Sequence, residues 1–202
     1  MLISIHPDNP QPRLLRQVAD VLRSGGVVIY PTDTIYGLGC DIAQPKAVER
    51  ICRIKGVAPQ KAQLSFVCYD LSQLSTYAKQ LPTPVYRALK SYLPGPYTFI
   101  LEASRAVPKI LKSKRDTVGI RVPDNTTARL LVQELGNPIL SASLPGENVE
   151  DYTDPEVIHD RFATLVDVVI DGGIGGIQPS TIIDYTTAVP EVLRQGAGAW
   201  PA

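Results

Sequence analysis

Two threonines, an aspartate, a tyrosine and two glycines crowd into Pro31-Thr32-Asp33-Thr34-Ile35-Tyr36-Gly37-Leu38-Gly39, directly after the apolar run Val27-Val28-Ile29-Tyr30. Hydroxyls and backbone amides at the end of a buried strand can grip a small polar ligand. A turn whose hydroxyls satisfy their own backbone would use the same residues. Further on, Arg121 interrupts the apolar pattern of Thr117-Val118-Gly119-Ile120-Arg121-Val122-Pro123. A period of two puts Thr117, Gly119 and Arg121 on one strand face. Gly119 leaves space between the other two, and a guanidinium fork suits a carboxylate or a phosphate. Ser141 and Ser143 share a face of another strand pattern, and Ser180 precedes a third. Lys55 stands where a helix must break, before Gly56 and Pro59. There it either complements the helix dipole or faces a phosphate. Arg194 ends the last strand pattern, where it is either solvated or turned to a ligand.

These residues bind and neutralise charge; they do not form a nucleophilic triad. Only His6 and His159 supply imidazole, and Cys40, Cys52 and Cys68 lack CxxC spacing and sit in apolar surroundings. No metal site and no disulfide framework is predicted; the cysteines read as small core residues, and a reducing cytoplasm is the expected setting. Asp171-Gly172-Gly173-Ile174-Gly175-Gly176 lacks the lysine of a phosphate-cradling GxxxxGK[ST] loop, so it is read as a flexible loop or gate.

The elements that must position these groups follow from periodicity and from punctuation by 18 prolines and 15 glycines. Arg13 to Ser24 carries apolar residues at 14, 15, 18, 21 and 22, one helical face ended by Gly25-Gly26. Pro45 to Ile54 repeats that pattern, with basic residues opposite. Further helices are predicted over Leu71–Ala78, Pro84–Ser91, Thr126–Leu135 and Pro155–Arg161. Strands are predicted over Val27–Tyr30, Gln63–Tyr69, Tyr97–Glu102, Thr117–Val122, Ile139–Ser143, Val166–Asp171, Thr181–Tyr185 and Glu191–Arg194. Strand and helix alternate irregularly, so a twisted, mixed parallel and antiparallel sheet fits better than a doubly wound parallel one. With no repeat and no linker, the 202 residues read as one α/β domain spanning 1–202.

A composition of 44% hydrophobic and 20% charged residues excludes a disordered chain and a coiled coil. Apolar runs such as Gly25 to Thr32 are too short to span a bilayer, so no membrane partner is predicted. Met1-Leu-Ile-Ser-Ile-His-Pro is not expected to act as a signal peptide. The net charge of zero hides an asymmetry: residues 1–123 hold 17 Lys and Arg against 8 Asp and Glu, and residues 124–202 hold 3 against 12. A basic half can attract phosphates, or can simply be a solvated face.

Taken in order, PTDTIYGLGCD (31–41), the Lys55 region, PGPYTFIL (94–101), TVGIRVP (117–123), NPILSAS (137–143), DGG (171–173), PSTIID (179–184) and LRQG (193–196) resemble the YrdC/YciO family of threonylcarbamoyl-AMP synthases. The resemblance runs from about Arg13 to Gly196. IHPDNPQPRLLRQ (5–17) and ERICRIK (49–55) are most similar to the YciO branch. It implies an open sheet flanked by helices around a large, positively charged concavity. It implies formation of threonylcarbamoyl-AMP from L-threonine, bicarbonate and ATP, with Mg2+, for the t6A modification of tRNAs that read ANN codons. The alternative it implies is a double-stranded RNA- or tRNA-binding protein of YciO type with little synthase activity. On this resemblance Thr34, Arg121, Ser141 and Ser180 surround threonine, and Lys55, Thr117, Ser143 and Arg194 contact the nucleotide. Lys55 and Arg121 become the candidate catalytic residues, with Thr32 and Tyr36 in support.

Two departures stand out against the family pattern. The synthase branch carries K-x-R where this chain has Lys55-Gly56-Val57, and S-x-N where it has Ser143-Leu144-Pro145. A lost charge-assisted hydrogen bond costs about 1.5–3 kcal/mol, so nucleotide binding is predicted to be weakened. Lys61 and Lys114-Arg115 are the candidates to replace the missing arginine.

Overall fold

Proline starts the helices and short polar residues cap them. The computed structural model describes residues 1–58, 62, 64–108, 111, 116–146, 152–187 and 189–200. In chain order its elements are β1 (Leu2–Ser4), α1 (Pro12–Arg23), β2 (Val28–Tyr30), β3 (Gly37–Asp41), α2 (Pro45–Ile54), β4 (Ser65–Val67), α3 (Leu71–Tyr77), α4 (Thr83–Tyr92), β5 (Tyr97–Glu102), β6 (Thr117–Arg121), α5 (Thr126–Leu135), β7 (Ile139–Ser143), α6 (Pro155–Phe162), β8 (Val168–Asp171), β9 (Thr181–Asp184) and β10 (Glu191–Arg194). Pro12, Pro45, Pro84 and Pro155 occupy first-turn positions, where a missing N–H costs nothing. Asp70, Asn125 and Asp154 accept first-turn amides with their side chains. Gly136 ends α5 in the left-handed conformation at φ 84°.

The strands form one ten-stranded sheet in the order β1-β8-β2-β3-β7-β4-β6-β5-β9-β10. The pairs β1·β8, β2·β8, β4·β6 and β5·β9 are parallel. The pairs β2·β3, β3·β7, β4·β7, β5·β6 and β9·β10 are antiparallel. This is the single α/β domain with an open, mixed sheet that the irregular alternation predicts.

A core lies on each face. Leu15, Val18, Ala19 and Leu22 of α1 and Ala128, Leu131, Val132 and Leu135 of α5 pack on Val28, Tyr30, Ile139, Val168 and Ile170. On the other face Ala47, Val48 and Ile51 of α2, Leu74 of α3, Leu89 of α4 and Ile158 of α6 pack on Ile29, Phe66, Phe99 and Ile120. Cys40, Cys52 and Cys68 are buried and free. No helix among the described residues is long and apolar enough to cross a membrane.

Two strands escape the sequence reading. β1 is three residues long and exists through its parallel ladder to β8. β3 falls in the stretch read as loop: Gly37 to Asp41 is a fully buried strand, paired with β2 on one side and β7 on the other. Its glycines are required by space, because a Cβ on Gly39 would lie 2.9 Å from the Tyr30 ring. The Gly-rich segment read as a flexible loop or gate is a loop, with backbone ties at two of its glycines. Gly175 donates to the Thr153 carbonyl and Gly176 to the Thr34 carbonyl, at 2.8 and 2.9 Å. Gln63, placed in a strand by the sequence reading, lies outside the described residues, as do Lys61, Lys114 and Arg115.

The Asn125 side chain caps α5 through the Ala128 amide at 2.9 Å. Asn125→Ala is expected to destabilise the fold by about 1 kcal/mol, read as a lower urea midpoint with an unchanged slope.

Candidate functional site

α1 and α5 cover only part of their face of the sheet. Beyond them the register aligns Gly39, Ser141, Ser65, Gly119 and Ile100 in one row across five strands. Small side chains along that row leave the sheet surface open. The result is a cleft of about 780 Å³, whose described cationic lining residues are Lys55, Arg121 and Arg194.

Arg121 sits at the end of β6 and is only 9% exposed. A buried guanidinium needs an anion. Its Nη2 donates to Asp33 Oδ1 at 2.8 Å and to Thr34 Oγ1 at 3.0 Å. Asp33 Oδ2 in turn accepts the Asp124 amide at 3.0 Å, just before α5. Arg121 Nε is buried with no acceptor among the described residues. An unpaired buried N–H costs about 1–3 kcal/mol.

The threonine cluster stands behind Arg121. Thr34 is 3% exposed and does not line the cleft. Thr32 Oγ1 accepts the Thr34 amide at 3.0 Å and donates to the Ile35 carbonyl at 2.7 Å. These hydroxyls satisfy their own turn, as the local reading allows, while Thr34 also holds the guanidinium. Tyr36 lines the cleft, donates to the Gly173 carbonyl at 2.7 Å and accepts the Gly172 amide at 3.2 Å. Burial pushes its phenol up to about 12.

Ser141 and Ser143 lie on an interior strand, between β3 and β4, not on an edge. Ser141 Oγ accepts from the buried Tyr30 hydroxyl at 2.8 Å. Ser180 Oγ meets Thr98 Oγ1 at 2.8 Å. Arg194 donates to the Ser180 carbonyl through Nε and Nη2 at 3.1 and 2.8 Å. Desolvation, then the nearby Arg121 charge, lowers the Arg194 pKa. Lys55 caps the end of α2, and its Nζ donates to the Ser143 carbonyl at 2.7 Å and to Ser143 Oγ at 3.3 Å. Partial burial lowers its pKa. Thr117 lines the cleft on the same face as Arg121.

The cleft thus gathers Lys55, Thr117, Arg121, Ser141, Ser143, Ser180, Arg194 and Tyr36, with Thr32 and Thr34 one layer behind. Arg50, one of the basic residues of α2, turns away to Asp167 at 2.6 Å. Three further residues were given no individual role by the sequence: Asp33, Tyr30 and Thr98. Asp33 carried a signal, since an arginine in a buried strand demands a carboxylate. Tyr30 and Thr98 looked like ordinary strand residues. Val57 lines the cleft with Val48, Leu64 and Val118, an apolar wall next to Lys55.

An open mixed sheet whose uncovered face gathers cations and hydroxyls defines an α/β protein with a polar, cation-bearing cleft. The model of a family described as telomere recombination, Sua5/YciO/YrdC, matches residues 20–196. YciO of Escherichia coli is 47% identical over 197 residues, covering 96% of this chain and 94% of that protein. Its crystal structure superposes with a TM-score of 0.91 at 45% identity, over 98% of this chain and 97% of that one. A threonylcarbamoyl-AMP synthase of Halorhodospira halophila is 32% identical, covering 88% of this chain and 92% of that protein. The structure of Sua5 of Pyrococcus abyssi complexed with L-threonine superposes with a TM-score of 0.88 at 30% identity, over 97% of this chain and 57% of that one. The chain belongs to the Sua5/YciO/YrdC family.

Asp33→Ala strands the Arg121 charge and is expected to cost about 3–5 kcal/mol, measured by urea unfolding. Burial also pushes the Tyr30 phenol from 10.0 to about 12. The unfolded phenol ionises first, so this tyrosine's contribution to stability is full below pH 10 and falls between about pH 10 and 12. Tyr30→Phe is expected to flatten that alkaline loss, read by circular dichroism against pH.

Proposed function

We propose that this chain forms threonylcarbamoyl-AMP from L-threonine, bicarbonate and ATP, at a low rate. The observation that carries this reading is the buried Arg121, braced by Asp33 and Thr34, lining the same cleft as Ser141 and Ser180. A guanidinium so held fits the carboxylate of an amino acid. A relative of the same fold has been crystallised with L-threonine.

The chemistry asks for positioning and charge neutralisation more than covalent help. The threonine amine attacks bicarbonate or its CO2, and water leaves where bicarbonate reacts. The resulting carbamate oxygen attacks the α-phosphorus of ATP. A mixed anhydride forms, and pyrophosphate departs with the electron pair of the broken P–O bond. In this reading Arg121 fixes the threonine carboxylate, with the Ser141 and Ser180 hydroxyls beside it. Lys55, Ser143, Thr117 and Arg194 meet the nucleotide. Among the described residues no group of three His, Cys, Asp or Glu side chains gathers to hold a metal. The described cleft walls offer hydroxyls and cations, so Mg2+ enters as the ion of the ATP substrate.

The low rate follows from Val57 and Pro145, which stand where the synthase branch has an arginine and an asparagine. The double-stranded RNA reading has less support. It rests on the basic N-terminal half and on Val57 and Pro145, and Arg16, Arg23, Arg50, Lys79 and Arg121 of that half already pair with carboxylates.

The test is mass spectrometry of protein incubated with ATP, Mg2+, L-threonine and bicarbonate. Threonylcarbamoyl-AMP is expected from the wild type, and more from Val57→Arg/Pro145→Asn. No product from either would overturn the reading, and RNA affinity that falls with log salt would then favour the alternative. Arg121→Gln is expected to weaken L-threonine binding about 10- to 100-fold in calorimetry.

A further inference from the structure

Two candidate nucleotide and threonine contacts, Arg194 and Ser180, meet where β10 ends and β9 begins. The segment that follows Arg194 wraps that junction. The Gly196 amide donates to Thr181 Oγ1 at 2.9 Å, and the Ala197 amide donates to the Pro179 carbonyl at 2.9 Å. Thr181 Oγ1 donates to the Gly198 carbonyl at 2.6 Å. The Tyr97 hydroxyl donates to the Ala199 carbonyl at 2.8 Å. Trp200 then stacks into an aromatic cluster, 4.6 Å from Tyr92, 6.1 Å from Tyr185 and 6.3 Å from Phe99 between ring centroids. The threading is close. A Cβ on Gly196 would run into the Pro179 carbonyl, and one on Gly198 into the Tyr97 ring. Residues 197–200 lie beyond the stretch that the family model matches.

We propose that Trp200 is a positioning residue: its ring anchors a clamp, residues 195–200, that fixes Ser180 and Arg194 in the cleft. The reason is geometric. Arg194 is oriented by the Ser180 carbonyl. That carbonyl is held in place by its neighbours Pro179 and Thr181, and both neighbours are bonded to clamp atoms. Backbone hydrogen bonds near the surface open readily by themselves. An aromatic anchor beyond them makes peeling of the segment require exposure of a large apolar ring. The assignment of Arg194 to the nucleotide rests on the function proposed above; the clamp does not.

The test compares the full chain with Trp200→Ala, Trp200→Phe and Tyr97→Phe, by amide hydrogen exchange and by calorimetry with Mg·ATP. Trp200→Ala is expected to lose protection at the Gly196 and Ala197 amides while α1 and α5 keep theirs. Its affinity for Mg·ATP is expected to fall about tenfold, and Trp200→Phe is expected to recover most of both losses. Tyr97→Phe keeps the ring and removes one bond, so it should raise exchange locally even if Trp200→Ala does not fold. Unchanged protection in these variants, or a uniform loss across the whole chain, would overturn the clamp. If the wild type binds no Mg·ATP, the adenylation reading fails, and the exchange pattern alone decides the clamp.

Discussion

A guanidinium nine-tenths removed from water is unstable unless an anion meets it, and the pairing of Arg121 with Asp33 at 2.8 Å meets that need. Both side chains are nearly buried, so the pair is far less screened than a surface ion pair. It also fixes chain segments distant in sequence. Asp33 belongs to the connection between β2 and β3, and Arg121 ends β6. The second Asp33 oxygen takes the amide of Asp124, one residue before the cap of α5. One carboxylate therefore ties together a loop, a strand end and a helix start. Asp33 and Thr34 share a single guanidinium nitrogen, Nη2.

The open face exists because helices run out before strands do. α1 and α5 shield β1, β8, β2 and β7, and the sheet continues through β6, β5, β9 and β10. Along that uncovered surface the row of glycine and serine keeps bulk away from the floor. The hydroxyls there are braced from behind by other side chains: Tyr30 supports Ser141, and Thr98 supports Ser180. A donor whose orientation is fixed before binding loses less entropy when a ligand arrives. Lys55 reaches the cleft from the end of α2 and Arg194 from the edge strand β10, each resting on a serine carbonyl. A carbonyl orients a cation without neutralising it, so both charges stay available to phosphates.

The apolar wall formed by Val48, Val57, Leu64 and Val118 gives the cleft two distinct sides. Hydroxyls and cations favour anionic groups, whereas the wall favours a flat or aliphatic surface. Val57 stands on the apolar side.

Local pattern by itself determined the helices. Their apolar spacing and their proline and glycine bounds appear within a residue or two of the predicted limits, because a helix closes its hydrogen bonds over four residues. β5, β7 and β10 coincide with their predicted spans for a similar reason, since alternation or an apolar run marks them without help from partners. The ordered motifs also carried the family. Tertiary structure alone decided the rest. Gly37 to Asp41 is a strand only because two ladders and the Tyr30 ring demand it; glycine-rich sequence favours a loop. It turned Thr34 behind Arg121 and sent Arg50 to Asp167. The bonds that define the cleft, Arg121 to Asp33, Tyr30 to Ser141 and Thr98 to Ser180, join residues 88, 111 and 82 positions apart. No local propensity encodes such pairs; they exist only once the strand order brings their side chains to one face.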